Sequence, residues 1–342
     1  MSLTYAGVVM LLTVALSAFW TQQDSGTTNE LRGLSVVSPS VVWASGTHGT
    51  ILRTTDGGAH WRADTVPGAT ALDLRSIAAT SATVAHAMSI ADSGRVFRTT
   101  DGGRSWSVRF TGLRKGSFFD AIKFWDAKHG ITVSDPVDGR FLVITTSNGG
   151  DTWEETPVEG MPAALTGEGA FAASGSCLVV QGTRDAWFVT GGATVARVFH
   201  SGDRGKSWTV SDTPIRAGAA SAGIFSADFR DRTHGIIVGG DYQHPELGGR
   251  NVALTADGGQ HWTLADSAAS PQAYESSVSF VPGTKGRTIV AVGLRGTDLS
   301  RDGGLTWTRT DSTGYNSVAF ASRTAGYAVG PRGRVAKGAI LK

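Results

Sequence analysis

Short apolar and β-branched runs, separated by polar and glycine-rich turns, follow one another along most of the chain. Residues 72–110 show the arrangement, with runs at 72–78, 83–89, 95–100 and 106–110. Segments of this length with turn residues at this density predict short strands and an all-β fold.

An eight-residue motif recurs six times within this pattern. Its copies are TTDGGAHW (54–61), TTDGGRSW (99–106), TSNGGDTW (146–153), SGDRGKSW (201–208), TADGGQHW (255–262) and SRDGGLTW (300–307). The tryptophans are 45, 47, 55, 54 and 45 residues apart. Repeats of this period indicate propeller blades or solenoid units, and four short strands in each repeat favour the propeller.

A seventh unit at 315–321, 326–330 and 334–340 has neither a motif nor a fourth strand. The N-terminal residues WTQQDS (20–25) match WTRTDS (307–312) and WTLADS (262–267), which follow two of the motifs. Residues 20–25 are therefore predicted to form the outer strand of the last blade. This pairing would close the ring and remove exposed sheet edges. The prediction is one seven-bladed β-propeller over residues 20–342.

The residues before this strand predict a membrane anchor. Residues 3–20 are 18 uncharged residues, and no charged side chain precedes Asp24. A helix of this length would span roughly 27 Å, close to the ~30 Å hydrocarbon core. A cleaved signal peptide is the alternative, because Ala15-Leu16-Ser17 is a small-x-small site, but the basic n-region is absent. Residues 1–19 are predicted to be one transmembrane helix, whose orientation the flanking charges leave open.

The motif predicts a structural turn between the third and fourth strands. Its glycine pair suits positive φ, its acidic side chain can accept backbone N–H bonds, and its tryptophan can pack between blades. The predicted structural residues are Asp56, Asp101, Asn148, Asp203, Asp257, Asp302, Trp61, Trp106, Trp153, Trp208, Trp262 and Trp307. Arg204 replaces the first glycine in one copy, which we interpret as a turn that needs only one residue of positive φ.

Composition and charge exclude several other classes. The 342 residues include 31 Lys+Arg and 29 Asp+Glu, and a net charge of +2 argues against a dedicated nucleic-acid binder. The single cysteine, Cys177, excludes an internal disulfide framework and multi-cysteine zinc sites. The alternating acidic ligands of a calcium loop are absent, and the histidines lack ligand spacing. No metal or other cofactor is predicted.

The motif resembles the Asp box, or bacterial neuraminidase repeat. The longer string WASGTHGTILRTTDGG (43–58) and the string GYAVG (326–330) are similar to propellers of the photosystem II stability/assembly factor type. The resemblance spans nearly all of residues 20–342. It implies a non-catalytic subunit or assembly factor of an integral membrane complex, with a bacterial photosynthetic reaction centre as the best candidate. It also implies a propeller on the periplasmic side of the cell membrane. Another envelope complex is the alternative partner.

A sialidase-like glycoside hydrolase is the alternative function, because such enzymes also carry Asp boxes. They need an arginine triad and a tyrosine nucleophile paired with a glutamate, and the F/Y-R-I-P segment of the first arginine is absent. Tyr274-Glu275 opens the inner strand of the sixth unit, but neighbours in a strand point to opposite faces. We interpret this pair as an aromatic residue at the blade entry beside a surface carboxylate. No catalytic residue is predicted.

Basic residues recur in the turns between the first and second strands of the repeats. These turns share a face with the motif turns, and a strand that begins at Trp20 begins at this face. The candidate partner-binding residues are Lys128, Arg184, Arg232, Lys285, Arg287 and Arg323. They predict an electropositive surface for an acidic partner or lipid headgroups, and a solvated polar rim is the alternative. The opposite face carries a long insertion at 241–249.

Overall fold

The protein is a ring of seven antiparallel sheets in the computed structural model, which describes residues 19–90, 94–112, 114–266 and 268–340. The described residues form 28 strands, four in each sheet. The first strands of neighbouring sheets contact one another around a central channel, and the later strands lie progressively outward. The predicted all-β, seven-bladed architecture is confirmed.

The strands follow the chain blade by blade, apart from the first. The first strand is β1 (Trp20–Gln23), and blade 1 then contains β2 (Leu31–Val36), β3 (Val42–Gly46), β4 (Thr50–Thr54) and β5 (Arg62–Thr65). Blade 2 contains β6 (Ser76–Ala79), β7 (Ala85–Met88), β8 (Arg95–Thr99) and β9 (Ser107–Thr111). Blade 3 contains β10 (Phe119–Phe124), β11 (Gly130–Val137), β12 (Arg140–Thr146) and β13 (Glu154–Glu155). Blade 4 contains β14 (Leu178–Gln181), β15 (Asp185–Val189), β16 (Arg197–Ser201) and β17 (Thr209–Asp212), and blade 5 contains β18 (Ala222–Phe229), β19 (Gly235–Asp241), β20 (Val252–Thr255) and β21 (Thr263–Leu264). Blade 6 contains β22 (Ser277–Phe280), β23 (Ile289–Gly293), β24 (Gly296–Ser300) and β25 (Thr308–Asp311), and blade 7 contains β26 (Ser317–Ser322), β27 (Ala325–Val329), β28 (Val335–Gly338) and β1.

The strand β1 closes the ring as the outer strand of blade 7. It runs antiparallel to β28, with Trp20 opposite Gly338 and Gln23 opposite Val335. Trp20 is only 3% exposed, and its indole N–H donates to the Thr297 hydroxyl of blade 6 at 2.8 Å. The N-terminal end of the ring is therefore fixed both to its own blade and to the neighbouring one.

The hydrophobic core is divided among the interfaces between blades. One cluster joins Leu31 and Leu52 of blade 1 to Tyr327 and Val335 of blade 7. The largest cluster continues through blades 3, 4 and 5. Because each sheet buries both faces against its neighbours, the two faces of the disc consist mainly of turns and loops. These turns and loops provide the surfaces available for binding.

Residues 163–176, between β13 and β14, form a segment that enters the central channel, and we call it the plug segment. The Arg32 guanidinium of blade 1 donates to Ala173 O at 3.2 Å. On the other side, the hydroxyl of Ser174 donates to Ser276 O of blade 6 at 2.9 Å, and that of Ser176 donates to Ser226 Oγ of blade 5 at 2.8 Å. These bonds to several blades hold the segment across the channel.

The helices of the described residues are single 3₁₀ turns at Thr47–Gly49, Val158–Gly160 and Pro331–Gly333. In this part of the chain no helix has the length and apolar character needed to cross a bilayer. The anchor predicted at residues 1–19 lies outside the described residues except for Phe19. The Phe19 ring packs edge-on against Trp20, with ring centroids 4.8 Å apart.

Candidate functional site

The motif turns use their acidic side chains internally. In blade 5, Asp257 Oδ1 accepts the backbone N–H groups of Gln260 and His261, both at 3.0 Å, and the Thr255 hydroxyl at 2.8 Å. The His261 N–H is the largest of the effects that lower the pKa of Asp257 to about 2, because it stabilises the charged carboxylate. The carboxylate therefore holds the turn in place.

The other five turns have the same geometry. In each, the side-chain oxygen accepts the backbone N–H four residues later and a hydroxyl from two residues earlier. The five residues are Asp56, Asp101, Asn148, Asp203 and Asp302. Asn148 accepts both bonds through its amide oxygen. Within the described ranges, no three His, Cys, Asp or Glu side chains are grouped so that they could hold a metal ion.

The motif tryptophans pack against the apolar clusters between blades. Trp61 packs on the cluster of blades 1 and 7, and its indole N–H donates to Gln23 Oε1 of β1 at 3.0 Å. The other motif tryptophans that pack on such clusters are Trp106, Trp153, Trp208, Trp262 and Trp307. The motif thus couples each tight turn to the adjacent blade interface.

Arg204 departs from the interpretation made from the sequence. Its φ is 63°, and that of Gly205 is 84°, close to the 74° and 85° of Gly57 and Gly58 in blade 1. The expectation that this turn needs only one residue of positive φ is wrong, since both positions adopt it. A side chain in this conformation costs roughly 1–2 kcal/mol. The Arg204 Nε–H donates to Thr183 O at 2.7 Å, which orients the guanidinium.

A cleft of about 560 Å³ opens between blades 3 and 4 on the face that carries the motif turns, which we call the motif face. Three cationic side chains line it: Arg184 from the turn between β14 and β15, and Arg204 and Lys206 from the motif turn. The ring of Trp125, an imidazole, two carboxylates and several threonine and serine side chains also line it. Arg184 was among the predicted partner-binding residues, but Arg204 and Lys206 were not, because the motif was predicted to be structural. The available signal was that SGDRGKSW is the only copy with two basic residues.

The other predicted basic residues are distributed around the motif face. Lys128, Arg232, Lys285 and Arg287 are exposed and Arg323 is half-buried. Arg232 forms an ion pair with the buried carboxylate of Asp185 at 2.8 Å. Lys285 lines a separate pocket of about 700 Å³, next to blade 5. The cleft between blades 3 and 4 contains only Arg184 of this set.

The opposite face has a larger cavity of about 1050 Å³ at the mouth of the channel, which we call the channel-mouth cavity. The plug segment contributes a long part of its lining, and Arg32 and Arg75 approach from blades 1 and 2. Each arginine has an acidic neighbour, Glu30 at 2.9 Å and Asp73 at 2.7 Å. The cavity is therefore lined by the plug segment and by two guanidinium groups whose positive charges are partly offset by neighbouring carboxylates.

Aromatic side chains form much of the remaining lining of the channel-mouth cavity. Phe171 of the plug segment stacks on Phe225, with ring centroids 4.0 Å apart, and Tyr274 meets Phe225 edge-on at 4.7 Å. Tyr242 and Leu294 lie at the rim and are 44% and 46% exposed. A pocket with apolar walls and a few polar groups suits a peptide segment or another largely apolar ligand.

Two carboxylates also line the channel-mouth cavity, and both accept hydrogen bonds from other residues of this chain. Burial raises the pKa of Asp135 to about 6, although its Oδ1 accepts the Ala170 N–H at 2.8 Å. Glu168 is buried and accepts hydrogen bonds from Arg197 Nε at 2.9 Å and from the Thr190 hydroxyl at 2.6 Å. Glu168 is therefore already paired.

The interpretation of Glu275 as a surface carboxylate is wrong. Glu275 is 1% exposed and lies 4.0 Å from the Arg309 guanidinium. Burial, together with the charge of Asp298, raises the pKa of Glu275 well above its ordinary value. Tyr274 instead lines the channel-mouth cavity beside Phe225. The sequence pattern gave no signal for this buried group, because its neighbours Asp298 and Arg309 come from the strands β24 and β25.

Comparison with known proteins agrees with this architecture. Residues 12–109 match the family model of the photosynthesis system II assembly factor YCF48. No curated protein matches the chain. A structure of YCF48 bound to a D1 peptide is 14% identical, covers 94% of this chain and 97% of its own, and has a TM-score of 0.65.

Two further structures are similar in fold. YCF48 from Cyanidioschyzon merolae is 19% identical, covers 94% of this chain and 99% of its own, and has a TM-score of 0.66. The GH74 enzyme of Niastella koreensis is 15% identical over 93% of this chain and 44% of its own, with a TM-score of 0.60. The chain is thus an Asp-box β-propeller similar to photosystem II assembly factors of the YCF48 type.

Proposed function

We propose that the protein is a non-catalytic docking subunit or assembly factor of an integral membrane complex, with a bacterial photosynthetic reaction centre as the best candidate. The observation that carries this proposal is the likeness of the whole ring to YCF48 structures, one of which has a bound D1 peptide. The match of residues 12–109 to the YCF48 family model supports the same assignment.

The channel-mouth cavity is the site that we propose for a peptide segment of the partner. Its volume of about 1050 Å³ suits several side chains, and its rim carries the exposed apolar residues Tyr242 and Leu294. Arg32 and Arg75 add hydrogen-bond donors that can bind a carboxylate or peptide carbonyl groups. This combination supports binding of an apolar segment that also carries acidic or carbonyl groups.

A membrane anchor at residues 1–19 would place the motif face towards the bilayer, with the propeller on the periplasmic side. Trp20 pairs with Gly338, and the nearby Ile340 N–H donates to Arg323 O in a turn of the motif face. Phe19, the first described residue, therefore lies at this face, and an anchor before it would meet the ring there. The basic side chains of the motif face would then lie near anionic headgroups or an acidic partner.

Co-purification from the native membrane in mild detergent, followed by mass spectrometry, tests this function. Pigment-binding reaction-centre polypeptides among the retained proteins would support the proposal. A reproducible set of other envelope proteins would replace the reaction centre with another complex. Purification of the full chain with no membrane protein, at any detergent strength, would contradict a docking function.

The alternative is a glycoside hydrolase, which the likeness to a GH74 enzyme favours. Asp135 lines the channel-mouth cavity, and a pKa raised to about 6 is a property of general acids. Assays with fluorogenic glycosides separate the two functions. Turnover that is abolished by Asp135→Asn or Tyr274→Phe would favour the enzyme and contradict the non-catalytic proposal.

A further inference from the structure

The cleft between blades 3 and 4 lies on the motif face at the far side of the ring from the strand β1. Phe19 and Trp20 belong to blade 7. In a ring of seven blades, the junction of blades 3 and 4 lies diametrically opposite blade 7. A disc attached at blade 7 alone could tilt about that point, and a second attachment on the same face would prevent tilting most effectively at this junction.

Hydrogen bonds join the two turns that carry the cationic side chains of the cleft. The Arg204 backbone N–H donates to Arg184 O at 2.9 Å, and its side-chain Nε–H donates to Thr183 O at 2.7 Å. The first-to-second-strand turn and the motif turn of blade 4 are thereby joined. Trp125 links blade 3 to these turns of blade 4, because its indole N–H donates to Asp185 O at 2.7 Å.

The acidic groups of the cleft leave it with a net positive charge. Arg184, Arg204 and Lys206 face two carboxylates, those of Glu154 and Asp203. The Asp203 carboxylate already accepts the backbone N–H groups of Lys206 and Ser207 and the Ser207 hydroxyl. The guanidinium and ammonium groups, with neighbouring hydroxyls, are the donors that proteins use to bind phosphate.

We propose that this cleft binds the phosphate of an anionic phospholipid headgroup through Arg184, Arg204 and Lys206, as a second attachment of the motif face to the bilayer. The inference rests on the membrane anchoring in the proposed function, because Phe19 and Trp20, where such an anchor would meet the ring, lie on the same face. The left-handed backbone of Arg204 supports it, because glycine fills this position without strain in the other five motifs. The Trp125 ring suits the headgroup region, where tryptophan is enriched.

Isothermal titration calorimetry of the full chain in a neutral detergent tests the site. The probes are dihexanoyl phosphatidylglycerol, dihexanoyl phosphatidylcholine and inorganic phosphate. We expect phosphatidylglycerol to bind at least ~10-fold more tightly than phosphatidylcholine and to weaken as salt rises, because screening reduces the attraction. Inorganic phosphate should compete for the same site.

Variants of the motif turn connect the binding to the cleft. Arg204→Gly restores the glycine pair of the other motifs, so the turn should still fold. The double variant Arg204→Gly/Lys206→Gln should weaken phosphatidylglycerol binding by ~10-fold or more. Arg104 occupies the position of Lys206 in the blade 2 motif but does not line the cleft, so Arg104→Gln is the matched control and should bind normally.

Two results would overturn the lipid site. One is unchanged phosphatidylglycerol affinity in Arg204→Gly/Lys206→Gln. The other is binding of inorganic phosphate without binding of phosphatidylglycerol, which would assign the cleft to a soluble anion. Retention of reaction-centre polypeptides by a chain that does not bind phosphatidylglycerol would contradict this inference and leave the proposed function standing. Lipid binding without any retained membrane protein would support this inference and contradict the docking function.

Discussion

At the scale of single residues, the motif aspartates act on the stability of the turns in a pH-dependent way. The pKa of Asp257 is about 2 in the folded chain, below the ordinary value near ~4 of an unfolded chain. The charged carboxylate therefore stabilises the folded state above pH ~4, and this contribution is lost as the pH falls through about 2. The same logic applies to Asp101, whose pKa is lowered to about 2 chiefly by the Ser105 hydroxyl.

We predict that Asp257→Ala lowers the free energy of unfolding by about 1 kcal/mol at pH 7, because the N–H groups of Gln260 and His261 lose their acceptor. Asp257→Asn should cost less, since Asn148 makes the same bonds in blade 3. Urea unfolding of the three proteins between pH 7 and pH 2 measures the effect. The difference between wild type and Asp257→Ala should shrink below pH 4, and a constant difference down to pH 2 would refute the explanation.

At the scale of the elements, the pairing of β1 with β28 joins the first and last strands of the described chain. Trp20 packs near Tyr315 and Phe320, with ring centroids 5.7 and 6.2 Å away, and donates its N–H to Thr297. Closure of a propeller in this way makes the stability of the last blade depend on a strand of four residues.

We predict that Trp20→Ala lowers the free energy of unfolding by roughly 3–5 kcal/mol, the usual cost of removing a buried tryptophan. Trp20→Phe should cost less, because it keeps a buried aromatic ring and loses the hydrogen bond to Thr297 and only part of the buried surface. Denaturant unfolding gives the free energies, and hydrogen exchange locates the change. Exchange should accelerate first in β28 and β27, and a loss of protection confined to blades 3 and 4 would contradict the prediction.

The elements also show how much a sequence pattern can predict. The motif and the repeated WTxxDS-type ends predicted the blades and the closing strand, because each depends on local turn residues and alternating apolar positions. The strand β1 ends at Gln23 instead of residue 25, since Asp24 accepts the Gly26 N–H and starts a turn. Residues 163–176 have no strand or helix periodicity, and the sequence pattern did not predict this segment. The available signal was the long, 55-residue spacing between Trp153 and Trp208. The place of the segment in the channel depends on bonds to distant blades.

The plug segment depends on a buried ion pair at its N-terminal part. Arg197 of β16 donates to Ala163 O at 2.9 Å and to Glu168, so one guanidinium holds two points of the segment. The cost of removing charge from one partner of a buried pair is about 3–5 kcal/mol, because the other charge is left uncompensated.

We predict that Glu168→Gln lowers the free energy of unfolding by about 3 kcal/mol. Glu168→Gln/Arg197→Met should recover part of this loss, since no buried charge remains unpaired. Asp151→Asn is the control, because the Arg98–Asp151 pair has a half-exposed carboxylate and should contribute less than about 1 kcal/mol. Equal effects of Glu168→Gln and Asp151→Asn in urea unfolding would show that burial of the pair has no consequence.

At the scale of the whole molecule, the two faces of the disc differ in chemistry. The motif face carries basic turns and the cationic cleft, and the opposite face carries the channel-mouth cavity with an aromatic lining. If the motif face lies towards the bilayer, as we propose, the channel-mouth cavity faces away from it. A partner would then reach the cavity with a segment that extends out of the membrane, rather than with its membrane-embedded surface.

This arrangement predicts that Tyr242→Glu/Leu294→Glu abolishes retention of the partner while the ring stays folded. Both side chains are about half exposed at the rim, so the fold should tolerate a charge, whereas an apolar segment would lose its contact and meet two carboxylates. Val108→Glu is the matched control, because Val108 is 50% exposed on the outer strand β9 and does not line the cavity. Co-purification in mild detergent measures retention, and unfolding in urea reports the integrity of the ring. Partner retained by the double variant at the wild-type level would move the docking site away from the channel mouth, and loss of retention in Val108→Glu alone would place it on the outer strands.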